Sequence, residues 1–116
     1  MKRSKDSSEH YTWGQNCDGW HLLKTNSLSI IQERMPPHTS EALHYHQKAQ
    51  QFFFILEGQA TFEIENEVFV VNTNEGCHVE ANKKHKIKNE GATDLHFLVI
   101  SEPKAHGDRI DLNPQN

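Results

Sequence analysis

The chain has 116 residues, 24% of them charged, a net charge of −4 at pH 7 and a pI near 6.1, which bounds it to one domain. With Lys and Arg scattered, a nucleic-acid partner is not expected. With no apolar run of about 18 residues and no apolar segment behind the charged start, neither is a membrane partner, and a cytoplasmic protein is. Leu, Ile, Val and Phe number only 26, close to the roughly 20% below which chains tend to disorder, so the core is lean and a homodimer is expected to cover its strand edges.

In chain order, residues 1–12 are polar and read as a flexible N-terminal arm, followed by a β domain over 13–103 and a C-terminal tail over 104–116. Trp13 and Trp20 flank a turn-rich loop containing Gly14, Cys17 and Gly19 and are expected to anchor an N-terminal strand to the core. Cys17 and Cys77 lack a CxxC spacing and suit reduced, buried thiols. Strands are expected over 20–24 and 28–35, and Pro36-Pro37 closes the second. The loop from His38 to Leu43 carries Glu41, expected to be a solvated carboxylate.

His44-Tyr45-His46 follows. Two histidines one residue apart share a face of an extended segment, because strand side chains alternate. In the next run Gln51, Phe53 and Ile55 are expected on one face, and Phe52, Phe54 and Leu56 on the other. A meander over 51–57, 60–65 and 67–72 turns at Gly58 and near Asn66, then short strands are expected over 78–81 and 85–89. The lysines at 83, 84, 86 and 88 read as guards of a solvated turn and strand edge. A last strong strand is expected over 94–101, with Leu95, Phe97 and Val99 on one face. The tail alternates in polarity, which suits an edge strand, an arm on a neighbouring subunit or a free end equally. Many short strands with no 3.6-residue apolar period point to a sandwich or barrel.

His44, His46 and a third imidazole from His85 would suit a divalent first-row metal, with Gln51 as a fourth, oxygen ligand; one residue of register would substitute Gln50. For His10, His21, His78, His96 and His106 a surface or hydrogen-bonded role is the better reading.

The pattern HxH, four residues, a polar ligand, six residues, Gly, at His44, His46, Gln51 and Gly58, resembles the first motif of the cupins. Residues 80–85 with Asn89 resemble the second, and the likeness runs from about Trp20 to Glu102. Gln51 stands where the family usually has glutamate, His38 and Asn74 where each motif opens on glycine, and Glu80 and Asn82 where Pro and Gly are common. The resemblance implies an all-β fold, the double-stranded β-helix or jelly-roll barrel, with a site at its open mouth. It also implies one divalent transition metal (Zn, Ni, Fe, Mn or Cu) on His44, His46, Gln51 and His85, and a small oxygen-bearing metabolite as ligand or substrate. The alternative is a non-catalytic binding or sensing module with a structural metal; the fold does not choose between them.

Overall fold

The computed structural model describes residues 1–105 and 107–112; His106 and residues 113–116, part of the expected tail, lie outside the described residues. After a 3-10 turn at Lys5–Ser7 the chain forms twelve strands, β1 (Glu9–Trp13), β2 (Cys17–Lys24), β3 (Ser29–Met35), β4 (Thr39–Ser40), β5 (His44–His46), β6 (Gln50–Glu57), β7 (Gln59–Ile64), β8 (Glu67–Asn72), β9 (Gly76–Val79), β10 (His85–Asn89), β11 (Leu95–Glu102) and β12 (Arg109–Asp111). They pair into two sheets, ordered β1-β2-β3-β11-β6-β9 and β12-β5-β10-β7-β8, with β4 also on β10. This is the expected all-β jelly-roll barrel.

Alternation builds the core. On β6 Gln51, Phe53 and Ile55 are buried while Phe52 and Leu56 are exposed, and on β11 Leu95, Phe97 and Val99 point inward. Phe53 meets Phe62 edge-on at 5.1 Å between ring centres and Phe97 at 6.1 Å. These rings, with Ile55, Ile87 and Leu95, belong to one buried core between the sheets. Cys17 joins this core, and both cysteines are free thiols.

Four expectations are corrected. Residues 9–12, expected in the arm, belong to the sheet: β1 pairs along its length with β2, placing Tyr11 opposite Gly19 and Trp13 opposite Cys17. The barrel also reaches past residue 103, because β12 pairs with β5. The strand expected over 78–81 lies over Gly76–Val79. Finally, the lysines of β10 guard no sheet edge. β10 is an interior strand between β5 and β7; Lys86 and Lys88 alternate outward from His85, Ile87 and Asn89, and Lys86 Nζ lies 3.9 Å from Glu63.

Candidate metal centre

β5 and β10 bring three imidazoles together from one sheet. His44 lies directly opposite His85 across the strand pair, and the period of two puts His46 on the same face as His44. The ring centres are 4.3 Å apart for His44 and His85, 5.1 Å for His44 and His46, and 5.8 Å for His46 and His85. All three are buried, and one nitrogen from each lies within 4.8 Å of the others. Burial pushes His44 down to about 3 and His46 down to about 4, and lowers His85 as well, so the rings are neutral near pH 7, the form a metal requires.

Hydrogen bonds to backbone carbonyls aim two of these rings. His44 Nδ1 donates to the Ala42 carbonyl at 2.8 Å, and His85 Nδ1 to that of Lys83 at 2.9 Å. Each ring is thereby fixed in the tautomer whose bare Nε2 is free to ligate. His46 Nδ1 is buried with no hydrogen-bond partner among the described residues, so no such bond sets the tautomer of that ring.

From the other sheet, Gln51 on β6 lies opposite Ser101 on β11, and its Nε2 donates to the Ser101 hydroxyl at 3.0 Å. That bond turns Gln51 Oε1 towards His85 Nε2, 3.2 Å away. A neutral His85 has one N–H, already given to Lys83, so two lone pairs face one another in a buried site. A cation shared by the two atoms would resolve that opposition. Turning the amide over would also remove it, but would withdraw the oxygen from the cluster. Three imidazoles and one amide oxygen form a donor set suited to a divalent transition metal. The neighbouring Gln50 points outward and is bonded to His78 and Glu102.

His44 and His46 open onto a cavity of about 1060 Å³, also walled in part by Gln51, Phe53, Glu33 and Arg109. Glu41 also lines it, and the expectation of a solvated carboxylate is corrected: its side chain is 9% exposed. Burial pushes its carboxyl up to about 8. Its Oε1 accepts the Ile87 N–H at 3.2 Å but is 4.0 Å from His44 Nδ1, too far to orient that ring. Glu33 is likewise raised by burial, to about 7, and accepts the Tyr11 hydroxyl at 2.7 Å. His38 is exposed, outside the cluster, with φ 65°.

Residues 31–101, more than half of the chain, match the family model described as "Cupin domain". The chain belongs to the cupin family. This cupin is 30% identical over 85 residues to an oxalate-binding protein of Thermotoga maritima, spanning 69% of this chain and 70% of the relative. Its fold superposes on the crystal structure of a predicted oxalate decarboxylase from Thermotoga maritima with a TM-score of 0.83, at 21% identity, covering 90% of this chain and all of the other (100%). A cupin-superfamily sugar phosphate isomerase from Silicibacter pomeroyi gives a TM-score of 0.78 at 18% identity, over 90% and 76% of the two chains. At these identities the two structures speak for the fold alone.

Sequence reasoning did not find Arg109, Ser101, Glu33 or Tyr11 at the site. The tail's alternation, Arg109-Ile110-Asp111, was the available signal for the first; the others reach the cavity only through strand register.

Proposed function

We propose that this cupin holds one divalent transition metal on His44, His46, His85 and Gln51 and binds there a small oxygen-bearing metabolite, with carboxylates the favoured class. The apposition of Gln51 Oε1 and His85 Nε2 at 3.2 Å supports the metal most directly. A dication among four neutral ligands keeps its full charge, which favours an anionic oxygen ligand. The oxalate-binding relative points to the same class. When bound, the metal would supply Lewis acidity towards a ligand oxygen and a more acidic water. The protein's own contribution is orientation: Ala42 and Lys83 fix the tautomers, Ser101 fixes the amide, and the Phe53 ring keeps the floor of the site apolar.

A relative named for binding rather than conversion favours a second reading, a binding or sensing module without catalysis. Thermal-shift screening of small carboxylates on metal-loaded protein tests the function. A ligand should raise Tm in the loaded parent and not in His85→Ala; recovery of that ligand unchanged after prolonged incubation would select the module, and its conversion the enzyme. No carboxylate stabilising the loaded form would contradict the proposal.

A further inference from the structure

The C-terminal strand carries a cation to the cavity that the metal reading does not use. β12 is fastened at both ends: the Asp108 carboxylate accepts the N–H groups of Gln47, Lys48 and Ala49 at 3.2, 3.0 and 2.9 Å, and the Leu112 N–H donates to Leu43 at 2.8 Å. Between these clasps Arg109 lies opposite His46 and Asp111 opposite His44. Directly opposed residues share a face of a sheet, so the Arg109 side chain stands on the side of the histidines, and it lines the cavity.

Its guanidinium is held but not used up. Nε donates to Asp111 at 2.6 Å, and Nη1 lies 3.6 Å from Glu41, beyond hydrogen-bond length. Neither Nη1 nor Nη2 makes a hydrogen bond among the described residues, and the side chain is 38% exposed. A planar edge of two terminal nitrogens, fixed at its base, matches a carboxylate in two-toothed geometry.

We propose that Arg109 is the specificity-determining residue of the site, and that the preferred ligand carries two oxyanion groups, one held at the histidine cluster and one on the guanidinium edge. The inference rests on the metal reading and adds to it the need for a second anion and for the C-terminal strand. Ligands with a single carboxylate reach only half of the site, so the parent protein discriminates between dianions and monoanions, and that discrimination resides in Arg109.

Calorimetric titration of the metal-loaded parent, Arg109→Gln and Lys104→Gln with oxalate, malonate and acetate tests this, after a metal titration of each. Lys104 lines the same cavity and carries the same charge without a fork. Arg109→Gln should bind metal like the parent, lose about tenfold or more in affinity for a dianion and less than about twofold for acetate. Arg109→Lys should fall in between, and Lys104→Gln should keep the parent's preference. Equal losses in Arg109→Gln and Lys104→Gln, or an unchanged preference in Arg109→Gln with metal bound, would overturn the role of Arg109 while leaving the metal reading intact. Failure of the parent to bind metal would overturn both.

Discussion

Gln51 is the residue on which the chemistry of the site turns. A carboxylate in its place offers oxygen from the same position and removes one unit of positive charge, so Gln51→Glu should bind dications about tenfold or more tightly and raise the pKa of metal-bound water. Gln51→Ala should weaken binding by about 10- to 100-fold; metal titrations in which both variants match the parent would remove Gln51 from the ligand set. The buried ionisable groups also set a pH dependence for the metal-free protein. His44 and His46 lie at about 3 and about 4 in the fold against 6.5 ordinarily, and His85 is lowered too. Below about pH 6.5 the unfolded chain therefore takes up protons that the fold does not, and stability falls. Glu33 and Glu41 are raised to about 7 and about 8 from 4.5. Here the fold retains protons that the unfolded chain has released, so their contribution is lost as pH rises from about 4.5 towards 8. Urea midpoints of the metal-free protein should peak between about pH 6 and 7; a monotonic profile would contradict the burial of one set. That His44, His46 and His85 cluster with Gln51 beside them could be expected from the sequence, because they sit at local period-two spacing or at a family distance. Ser101 and Arg109 could not, since they meet Gln51 and His46 only through pairing across 50 or more residues.

Strands and turns explain where this chain departs from the family pattern. His38 and Asn74, standing where each motif opens on glycine, have φ 65° and 68°, and Asn82 has φ 69°. All three are left-handed positions, which glycine takes freely and which Asn and His tolerate better than most residues. The turns are thus kept although the glycines are not. The alternation of β6 and β11 was legible because each buries one face against an apolar core. β1 was not, since Glu9-His10-Tyr11-Thr12-Trp13 mixes polar and aromatic residues and gains its place from pairing with β2, in which one close fit stands out. Tyr11 is opposite Gly19, which is itself opposite Glu33. A side chain at Gly19 would collide with the Tyr11 ring. The missing Cβ lets the tyrosine cross its neighbour strand and reach Glu33. Gly19→Ala should therefore lower stability by about 1–3 kcal/mol in urea unfolding and free the Tyr11 hydroxyl; an unchanged midpoint would show that the ring has other room.

At the scale of the molecule, the lean composition leaves apolar surface uncovered. Val68 and Val70 on β8, an edge strand, are 59% and 50% exposed, and Phe52 on β6 is 40% exposed. Covering them against a second copy is the proposed reason for a homodimer. Light scattering should give twice 13.4 kDa at micromolar concentration, and a monomer mass throughout would contradict it. The barrel sets β5 and β10 of one sheet against β6 of the other, so Gln51 meets the three histidines only where the two sheets face each other. Anomalous diffraction from crystals of metal-loaded protein, recorded at the absorption edge of the metal, tests the central claim most directly. The account predicts one peak per chain, within about 2.0–2.2 Å of a nitrogen of each of His44, His46 and His85 and of Gln51 Oε1. A site without a peak, or a peak bound elsewhere, would contradict it.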